Sequence, residues 1–167
     1  MTRPPASPDE VPEGKESVWD YPRPPRLEPL ARRVRVIVDN RPIVDSNNAL
    51  RVLETSHPPT IYVPPDDVVV EYFRSATQRS RCEFKGEARY WDIVIDDIVL
   101  PAAAWSYPSP APGYEAISGY ISVFPGRVDA CYLDDERVQP QEGDFYGGWI
   151  TSEILGPFKG PPGTRGW

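Results

Sequence analysis

The chain has 167 residues, 40% of them hydrophobic, and a formal net charge of -7, which is enough for one domain with an apolar core. That charge excludes a phosphate-tracking surface, because nucleic-acid affinity comes mostly from a basic face, so no nucleic acid partner is expected. No apolar run opens the chain, so neither a signal peptide nor a membrane span is expected, and the two cysteines, Cys82 and Cys131, are too few for a disulfide scaffold; a cytoplasmic protein with reduced thiols follows.

Proline is abundant, 22 residues, and gathers at both ends. Residues 1–17, with Pro4, Pro5, Pro8 and Pro12, cannot bury enough apolar area to offset their ordering and read as a disordered proline-rich arm. Residues 18–154 read as a single β domain and 155–167 as a Gly/Pro-rich tail. Trp19, Tyr21 and Leu27 punctuate the stretch Tyr21-Pro22-Arg23-Pro24-Pro25, and aromatics on so stiff a segment predict extended packing along the domain surface. Arg32, Arg33 and Arg35 flank Val34 and Val36, the pattern of a strand with one solvated face.

Val34 to Val38 is apolar and β-branched, meets Asp39-Asn40, and returns as Ile43-Val44. Ile93-Val94-Ile95 meets Asp96-Asp97 before Ile98-Val99-Leu100, and Cys131-Tyr132-Leu133 meets Asp134-Asp135 before Val138. Asn and Asp tolerate the left-handed backbone that tight turns need, so the spacing predicts three β-hairpins. Helix is scarce: Pro65-Asp66-Asp67 ahead of Val68 to Phe73, and Gly113 to Ser118, predict short turns of helix at most. The fold class is therefore mostly β, an antiparallel sandwich, tent-like pair of sheets or open barrel with one or two short helices. Phe158 and Trp167 predict that the tail docks on the domain.

Three segments concentrate chemistry. Glu54-Thr55-Ser56-His57-Pro58-Pro59-Thr60-Ile61-Tyr62 holds the one histidine, a carboxylate three residues before it, two hydroxyls and a Tyr, on a loop stiffened by proline. Glu54 can orient the His57 imidazole for acid–base work, or the loop is a surface turn whose imidazole caps backbone groups. Arg81-Cys82-Glu83-Phe84-Lys85-Gly86 alternates so as to put Cys82 and Phe84 on one strand face, with Gly86 as a bulge and Lys85 either an anion-holding group or an exposed cation. Trp105 and Tyr107 flank a serine ahead of a proline-rich turn and can wall a pocket or simply fill the core. Walker A, Gly-x-Gly-x-x-Gly, Cys-x-x-Cys, Gly-x-Ser-x-Gly and His-Glu-x-x-His motifs are absent, and no metal is expected from one histidine and two distant cysteines.

The stretch Cys82-Glu83-Phe84-Lys85-Gly86-Glu87-Ala88-Arg89-Tyr90-Trp91, with Leu53-Glu54-Thr55, Tyr62-Val63-Pro64 and Ala103-Ala104-Trp105-Ser106-Tyr107-Pro108, resembles the family of domain of unknown function 427, sometimes labelled nucleotidyltransferase-type. The resemblance covers Arg33 to Phe124 and implies a mostly β fold of paired sheets. The Gly-Ser turn and Asp-x-Asp pair that nucleotidyl transfer uses to hold magnesium are not found; the acidic pairs sit in turns.

The expected function is a small-molecule-binding protein or an enzyme. Glu54, His57 and Lys85 are its catalytic candidates, and Tyr62, Cys82, Tyr90, Trp105 and Tyr107 its ligand-binding walls. The alternative is a non-catalytic interaction module that uses its aromatic arm and tail. No cofactor is assigned, no membrane partner is expected, and a homo-oligomer is left open.

Overall fold

The computed structural model describes residues 11–82, 84–143 and 145–167, so of the arm expected to be disordered over residues 1–17, residues 1–10 lie outside them. Its strands are β1 (Glu16–Ser17), β2 (Arg26–Pro29), β3 (Val34–Val38), β4 (Arg41–Ser46), β5 (Leu50–Leu53), β6 (Thr60–Tyr62), β7 (Phe73–Cys82), β8 (Gly86–Ile95), β9 (Ile98–Ser106), β10 (Ile121–Val123), β11 (Ala130–Leu133), β12 (Glu136–Arg137), β13 (Gln139–Pro140), β14 (Trp149–Ile150) and β15 (Ile154–Leu155). Two four-stranded antiparallel sheets, in the orders β10-β9-β8-β7 and β12-β11-β3-β4, are joined by a three-stranded sheet, β2-β5-β6. Two short pairs, β13-β14 and the parallel β1-β15, complete the described part, and no sheet closes into a barrel. The helical content is short 3-10 turns, among them Pro65–Asp67, Val70–Tyr72 and Glu115–Ile117, where short helix is expected from the sequence.

All three predicted hairpin turns are present. Asp39 and Asn40 take φ of 52° and 58° between β3 and β4, Asp96 takes 51° between β8 and β9, and Asp134 takes 52° between β11 and β12. A fourth hairpin is a correction. Residues 81–91 are not one bulged strand: β7 ends at Cys82, Phe84 and Lys85 lie in a turn, and β8 starts at Gly86, whose φ of 110° lets the chain reverse. Cys82 and Phe84 therefore do not alternate along a common strand.

The bulges lie elsewhere, in the middle of the long strands. Register shifts between Ser75 and Arg79 and between Trp91 and Ile93 bend β7, β8 and β9. Asp92 Oδ1 accepts from the Ala102 N–H at 2.8 Å, and Arg127 donates to the Ala102 carbonyl at 2.7 Å, so the irregular backbone keeps its hydrogen bonds.

The bend divides the long sheet between two cores. One half packs Ile93, Ile95, Ala103 and Ala104 against Val34, Val36, Val38, Ile43, Cys131 and Leu133 of the β12-β11-β3-β4 sheet. The other half packs Ala88, Trp105 and Tyr107 with Val52 and Tyr62 of the three-stranded sheet and with Tyr114, Ile117 and Phe124. The stretch before β2 runs along the domain: Thr55 N–H donates to the Pro22 carbonyl and Tyr114 Oη to that of Pro25. The tail docks too, with Trp167 edge-on to Trp19 at 5.5 Å between centroids and the Trp19 indole N–H on the Pro157 carbonyl. Among the described residues no helix is long and apolar enough to cross a membrane.

Candidate functional site

Where the second core opens to solvent, it leaves a cavity of about 320 Å³. Its walls are the three-stranded sheet (Val52, Thr60), the ends of β7, β8 and β9 (Ser80, Cys82, Ala88, Tyr90, Trp105), Phe124, and Gln141, Phe145, Tyr146 and Gly147. The aromatics are fixed by their polar tips and by one another. Trp105 Nε1 donates to Tyr62 Oη at 3.1 Å, Phe124 packs on Trp105 with centroids 4.4 Å apart, and Tyr90 shares a hydrogen bond with Ser80 at 2.7 Å. Tyr62 itself is fully buried behind Trp105 and Tyr107 and does not line the cavity. Burial first, then the neighbouring Tyr62, Cys82 and Tyr90, pushes the Tyr107 phenol far up, so it keeps its proton.

Lys85 enters this cavity from the turn between β7 and β8. The turn is pinned from outside: Ala111 N–H donates to the Lys85 carbonyl at 2.8 Å, and a Cβ on Gly86 would stand 3.3 Å from that same Ala111 nitrogen. Lys85 is only 9% exposed, and its Nζ lies 5.7 Å from the centre of the Tyr107 ring. Among the described residues it has no ion pair within 4.0 Å and no side-chain hydrogen bond. Burial alone pulls the ammonium's pKa down; Tyr62, Cys82, Glu54 and Tyr114 push the other way and prevail, so it stays above its ordinary value. Of those four only Glu54 is a carboxylate, and its contacts are elsewhere. It lies 3.6 Å from Arg23 and 3.6 Å from His57 Nε2. The pairing of Glu54 with Lys85 that a shared cleft suggests is thus not a direct contact.

His57 is held by a residue the sequence did not single out. Gln141 Oε1 accepts from the Gly148 N–H at 3.1 Å, which turns its amide nitrogen to the Lys159 carbonyl at 2.7 Å and to His57 Nδ1 at 3.2 Å. A donor at Nδ1 makes that nitrogen the acceptor and puts the ring proton on Nε2, facing Glu54. The Glu54 carboxylate would favour an imidazolium, but Arg23 shares it. Burial, with the charges of Lys159, Lys85 and Arg23, pushes His57 down to about 3.

This has a measurable consequence. Unfolded, the imidazole titrates near 6.5, so between that value and about 3 the unfolded chain binds a proton that the folded chain refuses. The contribution is present above the unfolded value and is lost as pH falls, by about 1 kcal/mol from roughly pH 7 to 5.5. His57 is the one histidine of the chain, so urea unfolding across this range should show the loss and His57→Gln should flatten it. A profile unchanged by the substitution would contradict the buried neutral imidazole. Asp45, held down by Arg33, and Asp134, held down by the Arg33 N–H and then by Arg32, act only further into acid.

Of the sequence-predicted residues, Glu54, His57, Cys82, Lys85, Tyr90, Trp105 and Tyr107 line one cavity although they come from three distant segments. Sequence reasoning missed Arg23, Phe124, Gln141, Tyr146 and Lys159. Lys159 reaches the rim because its N–H donates to the Ser56 carbonyl at 2.8 Å, bringing the tail beside His57. Only the aromatics of the tail signalled that it docks. Among the described residues no three His, Cys, Asp or Glu side chains stand together to hold a metal.

The model of a family described as a domain of unknown function (DUF427) matches residues 26–134. The matched span contains Glu54, His57, Cys82, Lys85 and the aromatic walls, whereas Arg23 precedes it and Gln141 and Lys159 follow it. No curated protein matches the chain.

Proposed function

Since the chain belongs to the family of domain of unknown function 427, whose description names no reaction, we propose from the site itself that this is a small-molecule-binding protein or enzyme whose ligand is a small aromatic monocarboxylate. The observation that carries the reading is the buried Lys85 ammonium, facing a cavity with aromatic walls and left without an ion-pair partner among the described residues. A buried charge is held best by a close counter-charge; of the groups that favour this one only Glu54 is a carboxylate, it lies beyond 4.0 Å, and a negative group in the cavity would supply the close partner. One point charge suits a monoanion; a phosphate dianion calls for several converging donors or a bidentate arginine. Tyr90, Trp105 and Phe124 supply the stacking surface for an aromatic ring.

Glu54 and His57 are the acid–base candidates of the same site. Both ring nitrogens of His57 face partners, so the geometry favours the imidazole as a positioning group and leaves Glu54 as the better base. The interaction-module alternative is less well supported, because Trp19, Trp167 and Phe158 are spent on packing within the chain.

Phenylacetate and phenylacetamide have the same ring and differ in charge. Phenylacetate is expected to raise the melting temperature in a saturable way and phenylacetamide to leave it unchanged at equal concentration. Equal shifts from both, or none from either, would contradict the reading.

A further inference from the structure

We propose that Cys82 is a covalent modification site for small electrophilic monoanions, with the Lys85 ammonium steering the anion to the sulfur. The proposal rests on Lys85 being the anion-holding group of the cavity. Cys82 ends β7 and Gly86 opens β8 as its Cα partner, so Cys82 closes one leg of a tight hairpin and Lys85 sits in its turn, just before the other. Both line the same cavity, and Cys82 as a residue is only half-buried. Lys85, whose ammonium interacts electrostatically with Cys82, is nine-tenths buried, and its ammonium has neither a hydrogen bond nor an ion pair among the described residues. The second thiol provides an internal contrast: Cys131 is 1% exposed, packs in the main core, and is pushed far up by burial.

His57 does not act as the base of a Cys–His pair. Its Nδ1 faces Gln141, its Nε2 faces Glu54, and among the described residues no hydrogen bond joins it to Cys82. What sets Cys82 apart is therefore a guiding charge, and this charge selects for anionic electrophiles. An α,β-unsaturated carboxylate is the natural class. Its carboxylate lies on Lys85 while the sulfur forms a bond to the β-carbon. The π electrons of the double bond move to the α-carbon, which takes a proton from solvent, and the thiol gives its proton up to solvent. The sum is addition of a thiol across a double bond, with no oxidant or reductant required.

Iodoacetate and iodoacetamide test this. Each forms one S–C bond and releases iodide, and they differ in charge. Alkylation followed by intact mass and peptide mapping gives the iodoacetate-to-iodoacetamide rate ratio at Cys82, and the same chain unfolded in urea gives the reference ratio. In the native protein the ratio is expected to exceed the unfolded reference by about tenfold, the size of one charge-assisted contact. Lys85→Met should return it to the reference, Lys85→Arg should keep it raised, and Cys131 should stay unmodified. A native ratio equal to the unfolded one, or a raised ratio that survives Lys85→Met, overturns the proposal. The failures are separable with phenylacetate. If phenylacetate stabilises the protein through Lys85 yet Cys82 shows no preference for iodoacetate, covalent capture falls and the anion pocket stands; if phenylacetate has no effect either, both fall.

Discussion

Replacing Gly147 with valine is expected to lower the unfolding free energy by about 3 kcal/mol and to disorder the cavity wall. A Cβ at Gly147 would stand 2.3 Å and 2.6 Å from ring carbons of Trp105 and 3.2 Å from Phe124. Trp105 has little room to retreat: its indole N–H is bonded to Tyr62 at 3.1 Å, its ring packs on Phe124, and it is 7% exposed. The backbone at Gly148 and Trp149 has little freedom either, because Gly148 N–H is held by Gln141 and Trp149 N–H by the Pro59 carbonyl. The close approach is thus built from both sides. Gly126→Ala is the control, since its Cβ would meet Pro140 at an ordinary 3.4 Å, and it should change stability by no more than about 0.5 kcal/mol. Urea unfolding reads both; a Gly147→Val variant as stable as Gly126→Ala would show that the chain does not need to cross Trp105 so closely.

Lys85→Met is expected to cost between about tenfold and a hundredfold in affinity for an aromatic carboxylate, while lowering folding stability only slightly. The asymmetry follows from burial. In the free protein the ammonium has no ion pair within 4.0 Å among the described residues and is favoured only by the combined fields of Tyr62, Cys82, Glu54 and Tyr114, which just outweigh its burial, so removing it gives up a small stabilisation. Methionine keeps most of the side-chain volume against Tyr107. In the complex the same ammonium makes a charge-assisted hydrogen bond worth about 1.5–3 kcal/mol, and that gain disappears. An exposed lysine would leave both quantities nearly unchanged.

Much of the fold was legible because turn chemistry is local. Asp39-Asn40, Asp96-Asp97 and Asp134-Asp135 each interrupt β-branched runs, and the residues that turn the chain are those that tolerate positive φ. The hairpin at Phe84 and Lys85 was hidden because its flanks continue the alternation of a strand and its only signal, Gly86, is equally the signal of a bulge. The candidate site was legible where chemistry-bearing residues cluster in sequence, as at Glu54 and His57, or where aromatics flank a proline turn, as at Trp105 and Tyr107. Gln141 could not be read in this way. Its role comes from hydrogen bonds to Gly148, Lys159 and His57, of which only the first is local. Arg23 likewise reaches Glu54 only because the extended stretch before β2 runs beside residue 55. Two opposite charges in one cleft tend to pair, yet Arg23 and His57 are the cationic or titratable partners within 4.0 Å of the Glu54 carboxylate among the described residues, which leaves the ammonium open.

The central claim, that Lys85 waits in the cavity for an anion, is tested most directly by calorimetric titration of phenylacetate into the wild-type protein and into Lys85→Met at low ionic strength, after urea unfolding has shown the variant to be folded. Saturable binding to the wild type, weakened at least about tenfold in the variant, is the predicted result. Equal affinity for the two proteins, or no binding to a wild type shown to be folded, would contradict it.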